Sequence, residues 1–157
     1  MVTFDKRGNP IIDTEAVIPY QAVLGPSWYK FFEEFKNEKI WGSKCPKCGR
    51  VLVPIRAFCP RCFVDIDDCL EVSSEGEVVA WVYVNYRYFG MPVDPPFISS
   101  IIHLDGADSN FLHLVGGFDL SDLETVRQTV KVGTRVKAVW EREKSGNIKD
   151  IKYFKPI

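Results

Sequence analysis

Apolar and polar positions alternate in two different periods along this chain, and the change from one to the other divides it. Trp28, Phe31, Phe32 and Phe35 recur at i, i+3, i+4 and i+7, while Lys30, Glu33, Glu34, Lys36 and Asn37 take the opposite face. That spacing predicts a short amphipathic helix, with Ser27 after Pro26 as its cap. Four aromatics on one stripe call for burial against a core, or else against another chain. From Gly76 the period becomes two. Val78, Ala80, Val82, Val84 and Tyr86 alternate with Val79, Trp81, Tyr83, Asn85 and Arg87, which predicts a long strand partly covered on both faces. The segment from Met91 to Pro96 is rich in proline and predicts a loop.

Further strands are expected over 97–105, 111–118, 135–142 and 148–154, with a turn at 106–110. Between the third and fourth strands, 121–126 reads as a short helix with Ser121 as cap and Glu124 three residues on. Five strands with a helix between the third and fourth is the order of an OB-type barrel. Gly116-Gly117 reads as a bulge or barrel corner rather than a phosphate loop. The first 25 residues hold Pro10, Pro19 and apolar residues without a period, and read as an extended arm. The expected organisation is an arm over 1–26, a helix plus metal module over 27–70 and a barrel over 71–157.

The strongest chemical signal lies between helix and barrel. Cys45-Pro-Lys-Cys48-Gly49 and Cys59-Pro-Arg-Cys62 form two CxxC pairs separated by ten residues. Each CxxC turn aims two thiolates at one ion, and two turns complete a tetrahedral shell. Such a shell is closed, with no open position for water or substrate, which makes the site structural. Zinc is the expected metal, with a rubredoxin-type iron site as the alternative that spacing leaves open. A module this small folds only with its metal. Cys69 stands outside the pairs and reads as an ordinary core or edge residue.

Composition narrows the classes of function. The chain has 157 residues, a formal net charge of -1 and 26% charged residues, so bulk electrostatics points to neither nucleic acid nor an anionic membrane. Locally, Lys36, Lys39, Lys44, Lys47, Arg50, Arg56 and Arg61 face a single acid, Glu38, over residues 36–61. The N-terminus carries no apolar secretory segment and no stretch approaches a membrane span, so a soluble cytoplasmic protein is expected. Catalytic equipment is sparse. His103 and His113 sit inside strand patterns, no GxSxG, HExxH or P-loop is present, and Asp65, Asp67 and Asp68 read as an exposed acidic turn. No autonomous catalysis is expected.

Taken in order, the aromatic helix, the cysteine ribbon with Pro54-Ile55-Arg56, the run Glu75-Gly-Glu-Val-Val-Ala-Trp81, Leu104-Asp-Gly106 and Val132-Gly-Thr-Arg-Val136 resemble a known family. The chain is similar over about 27–155 to acyl-CoA-associated proteins with a rubredoxin-like zinc ribbon followed by an OB-fold domain. It departs from their pattern at Ile55, where a proline is common, and at Phe63, where a glycine is common. Neither departure removes a ligand.

The resemblance implies a non-catalytic accessory subunit in a hetero-oligomer. The catalytic partner would be a thiolase or thiolase-like enzyme, a hydroxymethylglutaryl-CoA synthase or a MaoC-like enoyl-CoA hydratase. It further implies that the chain helps to hold the CoA thioester, with Arg56, Arg87 and Tyr88 as candidate contacts through guanidinium–phosphate pairing and stacking on adenine. An alternative is a single-stranded nucleic-acid module in which Trp81, Tyr83, Tyr86 and Tyr88 stack bases, against which the net charge stands.

Overall fold

A computed structural model describes residues 2–12, 18–88, 90–91 and 93–157. The parts of the expected arm at 1 and 13–17, and position 92 of the expected proline loop, lie outside the described residues.

The arm opens not as an extended segment but as a hairpin of β1 (Val2–Phe4) and β2 (Pro10–Ile12), paired antiparallel. Its turn is made by Asp5, whose Oδ1 accepts the N–H groups of Arg7 at 2.8 Å and Asn9 at 2.9 Å. This side-chain turn was not recognised from the pattern. Every residue of the two strands is exposed.

Helix α1 (Gly25–Phe35) carries the aromatic stripe, with Phe31 and Phe35 fully buried and Trp28 43% exposed. Its N-cap is Leu24, not Ser27. Gly25 enters at φ 69° and Pro26 supplies the preset φ of the first turn, so Ser27 already lies inside the helix.

Next come β3 (Ile40–Lys44), β4 (Val51–Leu52) and β5 (Cys69–Val72), which form a three-stranded sheet in the order β4-β3-β5. The barrel then consists of β6 (Glu75–Val84), β7 (Phe97–Leu104), β8 (Asn110–Val115), β9 (Arg135–Trp140) and β10 (Ile151–Pro156), with α2 (Leu123–Thr129) between β8 and β9. It is closed in the order β10-β8-β7-β6-β9, as the five-strand reading expected. Only the β10–β8 pairing is parallel.

Several element ends differ from expectation, among them β8, which stops at Val115 rather than 118, and α2, which runs on to Thr129 rather than 126. The α2 cap is Asp122, whose carboxylate accepts from the N–H of Glu124 at 3.2 Å and of Thr125 at 3.0 Å. Ser121 instead donates its hydroxyl to Asp119. The fourth strand stops at Trp140 rather than 142, and the fifth starts only after a 3-10 turn, Ile148–Asp150. That turn is organised by Asp150, a buried carboxylate that accepts N–H groups from Ser145 at 3.0 Å and Gly146 at 2.7 Å.

A register shift in β6 between Val78 and Ala80 changes which residues face inward. Val78 lies in the core before it, and Trp81 and Tyr83 pack against the core after it. At Gly76 the neighbouring strand comes so near that an added Cβ would meet the His103 carbonyl oxygen at 2.3 Å, so only glycine fits.

One core unites Phe31 and Phe35 of the helix, Ile40, Val51, Val53 and Val72 of the ribbon, and the inner residues of the barrel. A second, smaller cluster holds Cys45, Leu52, Cys59 and Ile66. The base of the ribbon therefore belongs to the barrel core, and only its tip stands apart.

Candidate metal centre

The tip of the ribbon is made of two turns built alike. Cys45 N–H donates to the Arg50 carbonyl at 2.9 Å, and Cys59 N–H to that of Val64 at 2.8 Å. In return Gly49 N–H donates to Cys45 O at 2.9 Å, and Phe63 N–H to Cys59 O at 2.8 Å. These bonds close each CxxC segment into a knuckle with both sulfurs on one side. The Cys48 N–H points at Cys45 Sγ from 3.5 Å, the kind of contact that softens thiolate charge.

All four Sγ atoms lie within 4.8 Å of one another, and Cys48 and Cys59 bring theirs to 3.9 Å across the two knuckles. A tetrahedron of thiolates around a metal at about 2.3 Å has edges of about 3.8 Å, so the donor set fits a zinc-type ion. Cys45 and Cys59 are buried, and Cys48 and Cys62 half-buried. Without a cation, loss of solvation and then the Cys48, Cys45 and Cys59 thiols push the Cys62 thiol up to about 12. Four ionised sulfurs this close are untenable without a positive charge among them, which is the role of a metal.

The ribbon is clamped to the barrel by residues read from sequence only as part of a turn. Asp108 Oδ2 accepts Val51 N–H at 2.9 Å, and Asp108 N–H donates to Val51 O at 2.8 Å. The Asp108 carbonyl accepts from the Arg50 guanidinium at 2.8 Å. Ser109 Oγ accepts Val53 N–H at 2.7 Å and donates to Val53 O at 3.0 Å. Strand β4 is thus pinned by the β7–β8 turn. Nothing local marked these residues.

The proposed CoA contacts fall in two places. Arg56 is exposed, its N–H bonded to the buried Ser43 hydroxyl at 3.0 Å. It lines a cavity of about 430 Å³ with Leu24 to Trp28, Pro54, Ala57 and Phe58. Arg87 and Tyr88 are exposed beyond the end of β6, and Arg87 is paired with Asp94. Trp81 and Tyr83 are half-buried and pack against the core, and the Tyr83 hydroxyl donates to Leu120 O at 2.8 Å, which ties that ring down. His103 lies in β7 with Nδ1 3.2 Å from Asn110 Oδ1, and His113 in β8 is stacked on Phe111. His113 is a packed strand residue and His103 a half-buried one. Cys69 is a half-buried residue of β5.

The same order of parts is found in known proteins. Residues 32–68 match the model of the ChsH2 rubredoxin-like zinc ribbon domain, and residues 70–141 that of the ChsH2 C-terminal OB-fold domain. The chain belongs to the ChsH2 family of zinc-ribbon and OB-fold proteins. Together the two matches cover the aromatic end of α1, the four cysteines and most of the barrel, and leave out the N-terminal hairpin.

Among solved structures, one similar chain is a DUF35-family protein of unknown function from Sulfolobus solfataricus. It is 27% identical, with a TM-score of 0.62 over 85% of this chain and 87% of that one. Another is the Ltp2-ChsH2(DUF35) aldolase, 16% identical, with a TM-score of 0.63 over 87% of this chain and 98% of that one. The second likeness is one of fold. No curated protein matches the chain. No helix among the described residues is long and apolar enough to cross a membrane.

Proposed function

We propose that this chain is a non-catalytic accessory subunit of a thiolase or thiolase-like complex acting on acyl-CoA thioesters. Its task is to assemble the complex and to help hold the CoA moiety, while the partner carries the catalytic residues. The observation that carries the reading is the four-thiol tip fixed on a ribbon that shares its core with an OB barrel, in a family whose fold neighbour is the Ltp2-ChsH2(DUF35) aldolase. A closed four-sulfur shell offers a metal no site for substrate, so the ion serves shape. Zinc is the proposed ion, held by Cys45, Cys48, Cys59 and Cys62.

Within this reading, the arm over 1–26, the helix and ribbon over 27–70 and the barrel over 71–157 divide the work. The last two share one core. Arg56 is the proposed phosphate contact. Its cavity offers aromatic walls, Trp28 and Phe58, beside one guanidinium, which suits an adenine nucleotide bearing phosphates. Arg87 would first have to leave Asp94, and Tyr88 lies next to it.

The test is co-expression with a thiolase-like subunit encoded in the same genome, followed by light scattering on the purified complex and acyl-CoA turnover with and without this chain. A hetero-oligomer whose turnover depends on this chain supports the reading. Turnover of acyl-CoA by this chain alone, or partnership with a MaoC-like hydratase instead, would replace it.

A further inference from the structure

The two knuckles differ at one telling position. The residue after the second cysteine lies in the left-handed region in both, at φ 72° for Gly49 and φ 52° for Phe63. Glycine adopts that conformation without a Cβ clash, whereas an L residue pays for it, and a bulky one there calls for a reason. Gly49 shows that the turn itself asks for nothing larger, because its backbone bonds are matched one for one by those of the second knuckle.

The fold does not repay the strain at Phe63. Glu38, the other non-glycine described residue at positive φ, has its carboxylate held by Lys144 at 2.9 Å. The Phe63 ring is 83% exposed and belongs to neither hydrophobic cluster. Phe58, on the other flank of the same knuckle, is 52% exposed. Two phenyl rings thus bracket a turn that supplies two of the four clustered sulfurs and that a bound metal would hold rigid. Exposed aromatics on a rigid frame lose little entropy on burial and are what protein interfaces use at their centres.

Charge narrows the partner surface. From Lys44 to Arg61 the ribbon carries Lys44, Lys47, Arg50, Arg56 and Arg61 and no acid. Lys47 and Arg61 occupy equivalent places in the two knuckles, and both are exposed. Asp65, Asp67 and Asp68, also exposed, follow directly and would repel any anion, phosphate or carboxylate, so the partner's acids belong opposite Lys47 and Arg61 and not opposite this run.

We propose that Phe63 is the anchor of the partner interface, seated in an apolar pocket rimmed by carboxylates on the catalytic subunit, and kept in a strained backbone for that contact. The inference rests on the accessory-subunit reading above and locates its docking point. Strain stored at a functional position predicts opposite signs for stability and binding.

The experiment uses the zinc-loaded full chain and the purified thiolase-like subunit of the same genome, titrated by calorimetry, with thermal melts of the free chain alongside. Phe63→Gly should melt no lower than wild type, and up to roughly 2–4 °C higher. It should bind the partner about 30-fold or more weakly, the scale of an interface hot spot. Phe63→Tyr keeps the ring and should bind within about threefold of wild type. Equal binding by Phe63→Gly overturns the anchor while the accessory-subunit reading stands. A lower melt for Phe63→Gly overturns it too, because the ring would then be holding the knuckle. If wild type dimerises through this knuckle, or binds a labelled oligonucleotide in preference to the partner, the proposed occupant is wrong. If wild type fails to bind the thiolase-like subunit at all, the functional reading falls first and the anchor with it.

Discussion

The tip of the ribbon and the body of the barrel are held together by different physics, although they meet within one short strand. The body buries a continuous cluster running from Phe31 and Phe35 through Ile40, Val53 and Val72 to Val78, Ile102, Phe111 and Phe154. The tip buries Cys45, Leu52, Cys59 and Ile66. Two aliphatic side chains give about 1.5–3 kcal/mol each, too little to order two knuckles and the chain between them. The boundary runs through β4 and its exit. Val51 and Val53 point to the body, and Leu52 between them points to the tip. Dependence on metal should therefore begin inside the ribbon and not at the junction of ribbon and barrel.

The sharpest way to break this comparison is to remove a ligand. Cys48→Ser should lose the metal, read by mass spectrometry under native conditions, and lose amide protection in the two knuckles, over 45–50 and 59–64, while Val51 and Val53 keep theirs through Asp108 and Ser109. Amides of β6 to β10 should stay protected, since none of their buried residues lies in the tip cluster. Unfolding of the whole chain on loss of the metal would show that tip and body are one cooperative unit.

The converse change attacks the body. Phe31 is fully buried, with ring centroids 4.7 Å from Phe35 and 6.3 Å from Phe111. Phe31→Ala should cost about 3–5 kcal/mol, seen as a lower urea midpoint. Helix, ribbon base and barrel should melt together, while bound metal still protects the tip until that transition. A separate, earlier loss of α1 would mean that the helix is only appended to the core.

How far this division was legible in the sequence follows from the range of each interaction. The barrel order was legible because period-two alternation and turn residues are local signals, and the metal site because CxxC knuckles place ligands by spacing alone. The partition of Val51, Leu52 and Val53 between two clusters was not, because strand alternation says that faces differ without saying what each meets. Nor was the Asp108–Ser109 clamp, whose bonds join residues up to 58 apart. The β6 register shift also escaped, and with it the inward turn that half-buries Trp81 and Tyr83. Phe63 was visible as a departure from the family pattern, but its left-handed φ and its exposure needed coordinates.

A smaller effect is expected where the body meets the tail of α1. Asp150 is buried, which by itself raises its pKa, yet the N–H groups of Ser145, Gly146 and Asn147 outweigh burial and hold it below its usual 3.8. A carboxyl depressed in the fold contributes stability that is complete above the usual value and is lost as pH falls through the folded one. The segment it organises packs on α1, because a Cβ at Gly146 would meet Lys36 Cε at 2.9 Å. Asp150→Asn should cost about 1–3 kcal/mol at neutral pH. It should also flatten the acid limb of a stability profile below pH 4. The tip should keep its metal, which distinguishes this loss from that of a ligand mutant.

The smallest expected effect tests whether the body has a pH response of its own, apart from the thiolates of the tip. His113 stacks on Phe111 at 5.8 Å between centroids and 17° between planes, and meets Phe154 edgewise at 5.7 Å. Its Nε2 lies 3.3 Å from the Ile148 carbonyl and donates to it, and its buried Nδ1 has no partner among the described residues. Burial lowers the pKa of this imidazole below the ordinary 6.5, against the opposing pull of the Ile148 carbonyl. Above 6.5 the ring is neutral in folded and unfolded chain alike, so the full stability is present. As pH falls below 6.5 the unfolded chain takes up the proton first, and stability is lost progressively until the folded pKa is passed, at about 1.4 kcal/mol per unit of depression. His113→Phe should remove that loss while leaving whatever acid does to the sulfurs unchanged. Urea midpoints of the two proteins at pH 7.5, 6.5 and 5.5 should therefore diverge as pH falls, with the variant the less sensitive. Parallel profiles would show that His113 contributes nothing to the pH response in this window, and that burying its ring does not penalise the charged form.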